Sequence, residues 1–319
     1  MDVINQKHED NYSIYNADTV EVAKRLKSDS VDFSVFSPPF ASLYTYSNSD
    51  RDMGNVKNDA EFWGQYQFLI SEQFRVMKPG RNIAIHCMNL PTSKQNDGFI
   101  GLKDFRGDII RAYQDAGFIF HSEICIWKDP VVAMQRTKAL GLLHKTIKKD
   151  SAMSRMGIPD TIIVMRKPGE NTKPVAGEFT HYVGDNPPNG FKGYQYDDGR
   201  YYWYPGENNT SIDVWQAYAS PIWDDINQTD TLNFREGRDS DDERHICPLQ
   251  LDVIERCLQL WSAPGDVVWT PFMGIGSEVY MALKCGRKAI GVELKSSYFH
   301  LAVRNIEQAE KSQYEMFGG

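Results

Sequence analysis

Residues 31–40 read VDFSVFSPPF and residues 267–277 read VVWTPFMGIGS, and these two stretches decide the fold. Each begins with an apolar run, Val31 to Phe36 and Val267 to Thr270, that is typical of a buried strand. A double proline follows the first run and a glycine-rich string follows the second. In an open α/β sheet the ligand-binding groups lie where such strands end. The sequence therefore predicts a substrate loop early in the chain and a cofactor loop late in it.

The late string predicts a turn that binds a nucleotide-like cofactor, because glycine lets the backbone approach a ligand beside helix N-terminal amides. A dinucleotide fingerprint needs a third glycine at position 279, which is Val279, so nicotinamide and flavin cofactors are disfavoured. Glu293 comes nineteen residues after Gly274, at the end of the next predicted strand. A carboxylate there can accept both hydrogen bonds of a ribose diol. A ribose without a pyrophosphate indicates S-adenosylmethionine, with these binding residues in the turn: Phe272, Gly274, Gly276 and Ser277.

The same segment allows a nuclease interpretation, in which Glu293 and Lys295 form a Glu-x-Lys metal motif with Asp266 upstream. That interpretation leaves the glycine turn unexplained. We therefore expect no metal site.

Length and composition favour one large α/β domain with a smaller inserted region, since the chain has 319 residues and is 41% hydrophobic. The apolar runs are too short for a membrane span and the N-terminus does not resemble a signal peptide, so we expect a cytoplasmic protein, bacterial or in a phage-infected cell, without membrane contact. The five cysteines are scattered and are expected to be reduced core residues.

The charge is unevenly distributed. The whole chain carries a net charge of −8, but residues 128–167 contain nine basic and three acidic residues. This local excess is enough for contacts with phosphates, because salt screens charges beyond about 10 Å. The alternative is an ordinary solvated helix face.

Hydrophobic periodicity predicts a repeated alternation of strands and helices on both sides of an irregular region rich in Gly, Pro, Tyr and Trp. The strands are predicted at Tyr12–Tyr15, Val31–Phe36, Arg81–Cys87, Ile119–Trp127, Thr161–Met165, Val267–Thr270 and Ala289–Val292. The helices are predicted at Thr19–Leu26, Ala60–Met77, Phe105–Ala116, Pro248–Trp261, Glu278–Cys285 and Ser296–Lys311. His86, on the third strand, is expected to be a packed residue near the substrate loop.

Together these motifs resemble the DNA amino-methyltransferases of the permuted class called beta, in which the catalytic motif comes first, the target-recognition region second and the cofactor motif last. Asp18 falls on the acidic loop residue that this family places near the cofactor adenine. The string His245-Ile246-Cys247-Pro248-Leu249-Gln250 resembles a cofactor-side motif, which adds His245 and Pro248 to the predicted cofactor residues. Residues 41–55 are similar to solitary methyltransferases of phage and prophage type.

The resemblance implies a Rossmann-like, S-adenosylmethionine-dependent methyltransferase fold with a mixed, circularly permuted sheet. It divides the chain into a catalytic half at 1–167, a target-recognition region at 168–243 and a cofactor-binding half at 244–319. Double-stranded DNA is then the partner and a homodimer the expected assembly. Phosphate contacts are expected from these residues of the basic segment: Arg136, Lys138, Lys145, Lys148, Lys149 and Arg155.

The implied chemistry can be rebuilt from Ser37, Pro38, Pro39 and Phe40. An exocyclic amine is a poor nucleophile, so the site must accept its hydrogens, which the Ser37 hydroxyl and the Pro38 carbonyl can do. Two prolines fix these acceptors in place. Phe40 offers a face for a base rotated out of the duplex. Carbon methylation of cytosine is disfavoured, because no cysteine follows a proline.

Two target bases are compatible with these motifs, cytosine and adenine. Serine at the first motif position is more typical of cytosine-N4 methylation, whereas the phage-type context favours adenine-N6, which we prefer. A methyltransferase acting on RNA or on a protein amide is a further alternative, and a catalytically silent DNA-binding or restriction component is the third.

Overall fold

The structure is a computed structural model that describes residues 3–39, 59–95, 97–137, 140–172, 193–195, 201–203, 215, 217–233 and 248–317. Its helices are α1 (Thr19–Ala23), α2 (Asp59–Val76), α3 (Phe105–Asp115), α4 (Pro130–Thr137), α5 (His144–Lys149), α6 (Leu251–Trp261), α7 (Ser277–Lys284) and α8 (Ser296–Phe317). Its strands are β1 (Asn5–His8), β2 (Tyr12–Asn16), β3 (Phe33–Phe36), β4 (Asn82–Cys87), β5 (Leu90–Pro91), β6 (Leu102–Lys103), β7 (Ile119–Ile126), β8 (Asp160–Arg166), β9 (Gly193–Gln195), β10 (Tyr201–Trp203), β11 (Ile222–Trp223), β12 (Val267–Thr270) and β13 (Lys288–Glu293).

Nine strands form one mixed sheet in the order β1-β2-β13-β12-β3-β4-β8-β7-β11. Strands β2, β13, β12, β3 and β4 run parallel to one another. The two strands from the end of the chain thus lie between two strands from its beginning, which is a circularly permuted order and confirms the predicted fold class. All five parallel strands end at one edge of the sheet, here called the site edge.

Helices cover both faces of the sheet, and each face has its own apolar core. On one face α6, α7 and α8 bury residues such as Val253, Ala282 and Phe299 against β3, β12 and β13. On the other face α2 and α3 bury residues such as Tyr66 and Ile109 against β3, β4 and β8. Burial on both faces explains why the central strands read as continuous apolar runs in the sequence.

A buried ionic cluster closes the opposite edge of the sheet. One nitrogen of Arg81, Nη2, lies 2.8 Å from Asp32 Oδ1 and 2.8 Å from Asp266 Oδ2. Burial alone would raise the pKa of the Asp32 carboxyl, but its contacts with Lys78, the Val267 amide and Arg81 outweigh burial and hold that pKa below its ordinary value. The cluster ties β3 and β12 together far from the predicted loops.

Several predicted elements differ from the structure. Strand β1 is missing from the prediction because Asn5–His8 is a polar edge strand whose side chains are mostly exposed, which leaves no apolar pattern to read. Strand β8 runs antiparallel to β4 and β7, so α4 and α5 between β7 and β8 are not a crossover connection as simple alternation suggested.

Part of the predicted target-recognition region belongs to the main sheet. Strand β11 pairs parallel with β7 as the last strand of the sheet, and Trp223 is buried in the core of one face. Arg256 of α6 forms an ion pair with Asp225 and lies over the rings of Tyr218 and Trp223. Part of the described stretch 217–233 is therefore packed against the main sheet, and the boundary predicted at 243 falls after it. Most of the rest of 168–243 lies outside the described residues.

Candidate functional site

The predicted substrate and cofactor loops lie side by side at the site edge. Strands β3 and β12 are parallel neighbours, with Phe33 opposite Val268 and Ser34 opposite Trp269. The loop at Ser37 to Pro39 and the turn after Thr270 leave these strands at adjacent positions. Beneath them the rings of Phe36 and Phe272 touch, with centroids 5.8 Å apart. Two segments separated by more than two hundred residues thus form one site.

The glycine turn is shaped by backbone geometry. Gly274 and Gly276 have φ values of 53° and 92°, a region that favours glycine. Gly276 is also the N-cap of α7, and a Cβ there would lie 3.1 Å from the Cβ of Ala302 in α8. The Met273 amide donates to the Val292 carbonyl at 2.8 Å, which joins the turn to β13.

Two buried hydroxyls at this turn are unpaired among the described residues. The Oγ atom of Ser277, the first residue of α7, is buried and has no hydrogen-bond partner among the described residues. The same holds for Oγ1 of Thr270 at the end of β12. Buried polar atoms are normally paired, so these two hydroxyls are available to a bound molecule.

Glu293 is fixed beside the turn by both of its carboxylate oxygens. Oε2 accepts a hydrogen bond from the Gly274 amide and Oε1 accepts one from the Lys295 amide, each at 2.8 Å. The Asn16 side chain donates to the carbonyls of Glu293 and Leu294 at 2.9 Å and thereby holds the end of β13 against β2. The structure therefore brings Glu293 and the glycine turn into direct contact, as the cofactor prediction requires.

Asp18 lies next to Glu293 along the site edge, because the Ala17 amide donates to the Glu293 carbonyl at 3.1 Å. Its own side chain is the N-cap of α1, where Oδ1 accepts from the Glu21 amide at 3.0 Å. Asp18 thus has a structural function whether or not it also contacts a cofactor.

Pro248 lies just before α6. Trp261 at the end of α6 packs against Phe33 at the beginning of β3, with ring centroids 6.2 Å apart. Because α6 runs back along β3, Pro248 lies toward the site edge. His245 lies outside the described residues, as does Phe40 of the substrate motif.

A buried acid lies beneath the turn. Glu278, in the first turn of α7, is 5% exposed, and its burial raises the pKa of the carboxyl to about 8, with a smaller contribution from the negative charge of Glu293. A carboxyl with this pKa holds its proton at neutral pH, whereas the sequence analysis identified Glu278 only as the first residue of a helix.

The catalytic side of the site contains a row of polar side chains that the sequence analysis missed. Ser37 Oγ lies 2.9 Å from Nδ1 of His86 at the end of β4, and His86 Nε2 lies 3.1 Å from Asp160 Oδ2 at the start of β8. Lys128, just after β7, lies 2.5 Å from the same carboxylate oxygen. His86 is therefore not merely a packed residue, as expected from the sequence, but bridges Ser37 and a buried carboxylate.

One signal could have identified this row. His86 and Asp160 are polar residues within otherwise apolar strands, and both are nine-tenths or more buried. Buried polar groups of this kind are usually paired. Local patterns do not show which strands are neighbours, so the partners could not be named.

The basic segment is divided by the fold. Lys128 faces Asp160, and Lys167 forms an ion pair with Asp29 at the edge opposite the site. Arg166 donates to the Gly169 carbonyl on that same side. These three residues are therefore unavailable for the phosphate contacts that the charge count suggested.

The segment that holds the remaining basic residues leaves the sheet and returns to it at the site edge, because β7 ends there and β8 begins there. The side chains of Lys145, Lys148 and Lys149 on α5 are exposed, and Arg155 is half-buried. Burial lowers the pKa of the Arg155 guanidinium, and its Nη1 has no partner among the described residues. Lys138 and the side chain of Arg136 lie outside the part of the chain that the structure describes.

The nuclease interpretation is wrong. Asp266 lies at the beginning of β12 and Glu293 at the end of the parallel strand β13, so they occupy opposite edges of the sheet. Asp266 is also bound to Arg81. Within the described ranges no cluster of His, Cys, Asp and Glu is suited to hold a metal ion.

No described helix has the length and apolarity needed to cross a bilayer.

Known relatives cover the chain to different extents. Type II methyltransferase M1.MboII of Moraxella bovis is 38% identical over 66 residues, which are 21% of this chain and 25% of that protein. Type II methyltransferase M.BglII of Bacillus subtilis is 27% identical over 293 residues, which are 91% of this chain and 67% of that protein. The chain therefore matches only about a quarter of the first relative but about two thirds of the second.

Solved structures share the fold. A protein of Thermus thermophilus, described as a DNA modification methylase and solved with S-adenosyl-L-methionine, superposes with a TM-score of 0.62 at 20% identity. The superposition covers 94% of this chain and 95% of that one. The family model for N6 and N4 methyltransferases, described as DNA methylase, matches residues 31–304. Because this match spans most of the sequence, the chain belongs to the DNA methylase family of N6 and N4 amino-methyltransferases.

Proposed function

We propose that this protein transfers a methyl group from S-adenosylmethionine to the exocyclic amine of a base in duplex DNA, with adenine-N6 as the preferred target. One observation carries the proposal: the Pro-Pro loop and the glycine turn leave adjacent parallel strands at one edge, so an amine and a methyl donor would meet between them. Membership of the DNA methylase family supports the same reaction.

The cofactor pocket fits S-adenosylmethionine, which is the methyl donor of this family and supplies an electrophilic methyl group on a sulfonium. The Glu293 carboxylate, already oriented by two backbone amides, would accept the ribose hydroxyls. The unpaired hydroxyls of Ser277 and Thr270 and the backbone of the glycine turn would contact the rest of S-adenosylmethionine. Asp18, Phe272, His245 and Pro248 are proposed to complete the pocket.

On the substrate side, Ser37 and the Pro38 carbonyl would accept the hydrogens of the amine. That favours a tetrahedral nitrogen and frees its lone pair from the ring. Phe40 would stack on the base once it has rotated out of the duplex, a contact worth about 1–3 kcal/mol. The methyl group would pass directly to nitrogen, without a covalent enzyme intermediate.

The DNA would lie over the segment between β7 and β8. Its exposed lysines on α5 and the half-buried Arg155 lie on the side of the sheet where Ser37 ends β3, so phosphate contacts there would bring the duplex to the site. We further propose that residues 168–243 read the base sequence, with Arg136 and Lys138 adding phosphate contacts, and that the protein acts as a homodimer. Sedimentation equilibrium measures whether the protein is a dimer in solution.

The decisive experiment is incubation with unmethylated genomic DNA and S-adenosylmethionine, followed by mass spectrometry of the nucleosides. We expect N6-methyladenine. Cytosine-N4 methylation is the alternative, supported by serine at the first position of the Pro-Pro motif, and it would appear as N4-methylcytosine. Parallel incubations with RNA and with protein, using tritiated methyl donor, test the remaining alternatives. Label in RNA or protein but not in DNA would overturn the proposal.

A further inference from the structure

Ser37, His86, Asp160 and Lys128 form a continuous row across the site edge. They come from four neighbouring strands or strand ends, in the order β3, β4, β8 and β7. The distances along the row are 2.9, 3.1 and 2.5 Å. The side chains of His86 and Asp160 are only 11% and 4% exposed, so water competes little for their contacts. Neither the family assignment nor the Pro-Pro motif accounts for this arrangement behind Ser37.

We propose that His86 is a positioning residue for methyl transfer: it orients the Ser37 hydroxyl as an acceptor toward the target amine and takes up the hydroxyl proton as the amine is methylated. This inference rests on the proposed function and deepens its account of Ser37.

The tautomer of His86 follows from its neighbours. Burial alone would raise the pKa of the Asp160 carboxyl, but the adjacent His86 and Lys128 outweigh burial and hold that pKa below its ordinary value. A carboxylate 3.1 Å from Nε2 favours a proton on that nitrogen, although the contact lies off the ideal line for a hydrogen bond. Nδ1 then keeps its lone pair and accepts the Ser37 O–H, which leaves the oxygen lone pairs for the amine hydrogens.

The proton balance also requires an acceptor. As the nitrogen–carbon bond forms and the sulfur–carbon bond breaks, the electron pair of the broken bond stays on sulfur and the nitrogen becomes positively charged. One amine proton passes to Ser37 Oγ while the hydroxyl proton passes to His86 Nδ1. Asp160 stabilises the resulting imidazolium, which later loses the proton to solvent.

This arrangement predicts a pH dependence. Among the described residues, the carboxylate of Asp160 from β8 contacts His86, and Lys128 after β7 contacts that carboxylate, whereas Cys87 follows on the opposite face of β4. A proton already on Nδ1 before the reaction would prevent His86 from accepting the Ser37 proton, so the rate should fall as the pH is lowered.

The test measures single-turnover methyl transfer to duplex genomic DNA across pH for the wild type, His86→Asn, Ser37→Ala and the double variant. Asparagine can accept a hydrogen bond but cannot take up a proton. We expect His86→Asn to lower the rate by about 100-fold and to remove the acid limb, with affinity for S-adenosylmethionine retained. Because both residues act as one unit, the double variant should be no slower than the slower single variant.

His300→Asn, at an exposed histidine on α8, is the control and should keep the wild-type profile. If His86→Asn does not fold, Asp160→Asn replaces it and should also lower the rate, because the imidazolium then loses the carboxylate that stabilises it. A wild-type rate that is flat with pH, or additive effects in the double variant, would overturn the inference while leaving methyl transfer to DNA intact. No transfer by the wild type at any pH would instead overturn the proposed function and the inference with it.

Nitrogen NMR of histidine-labelled protein provides a readout that needs no activity. We expect the His86 resonances of the neutral form to show the proton on Nε2. A proton on Nδ1 would mean that the imidazole donates to Ser37, which contradicts the proposed acceptor.

Discussion

Glu293→Gln separates the observed anchoring of the glycine turn by this carboxylate from the ribose binding proposed for it. In the structure Oε1 and Oε2 each accept one backbone amide at 2.8 Å. Glutamine keeps one acceptor oxygen but presents an NH₂ group to the other amide, so one charge-assisted hydrogen bond is lost. Such a bond contributes about 1.5–3 kcal/mol, and we expect the protein without cofactor to lose about that much free energy of unfolding.

The second effect concerns binding. If the same carboxylate receives the ribose hydroxyls, the variant loses a further charge-assisted bond in the complex, again about 1.5–3 kcal/mol. This corresponds to a dissociation constant for S-adenosylmethionine raised by about 10- to 150-fold. Isothermal titration calorimetry measures the affinity, and denaturant unfolding without cofactor measures the stability.

Glu307→Gln is the matched control, since Glu307 on α8 forms a partly exposed ion pair with Lys7, away from the turn. It should leave the affinity unchanged. Lowered stability with unchanged affinity in Glu293→Gln would refute the ribose contact, because the carboxylate would then serve only to anchor the loop. Unchanged stability would contradict the reasoning on the two amides.

Three further predictions follow from charges elsewhere in the molecule. Arg81→Met leaves the buried carboxylates of Asp32 and Asp266 without their shared partner and should lower the free energy of unfolding by about 3–5 kcal/mol. The control Arg25→Met, on the surface, should change it by about 0.5 kcal/mol or less, and equal effects of the two variants would contradict the buried cluster. Burial raises the pKa of the Glu278 carboxyl to about 8, so the folded state holds a proton that the unfolded state releases above about pH 4.5. The free energy of unfolding should therefore fall by about 1.4 kcal/mol per pH unit between those two values. Glu278→Gln should remove this slope in pH-dependent denaturation, and a persistent slope would assign it to another group. Replacing the three exposed lysines of α5 with glutamine should weaken DNA binding for all sequences and reduce the slope of log affinity against log salt concentration by up to about 2.7. Fluorescence anisotropy measures both effects; the variant changes Lys145, Lys148 and Lys149, and the control changes Lys24, Lys27 and Lys284. An unchanged slope would contradict phosphate binding by this surface.

Local sequence patterns predicted most of the helices and strands of the main sheet domain. Helix α7 was predicted at Glu278–Cys285 and begins one residue earlier, at Ser277 after the Gly276 cap. The predicted strand at Thr161–Met165 extends by one residue at each end. Helix α8 was predicted to end at Lys311 but continues to Phe317. Periodicity identifies the type of an element well because burial repeats along it, whereas its ends depend on capping contacts with other parts of the chain.

The site was only partly predictable for the same reason. The glycine turn and Glu293 could be paired because a nucleotide-binding turn and a carboxylate at the end of the next strand occur at a characteristic spacing. The link between His86 and Asp160 could not, because nothing in the spacing of two residues 74 positions apart shows that β4 and β8 are antiparallel neighbours.

The amino-acid sequence by itself determined the kinds of elements, the order of the two motif-bearing halves and the family of the protein. Those properties are written in local patterns, such as apolar runs, a double proline after one strand and glycines after another. Only the tertiary structure decided which side chains act together. It placed β13 and β12 between β2 and β3, joined Ser37 to a buried histidine and carboxylate, and turned Lys167 away from the site. The physical reason is that strand pairing depends on how whole faces pack, and no single segment contains that information.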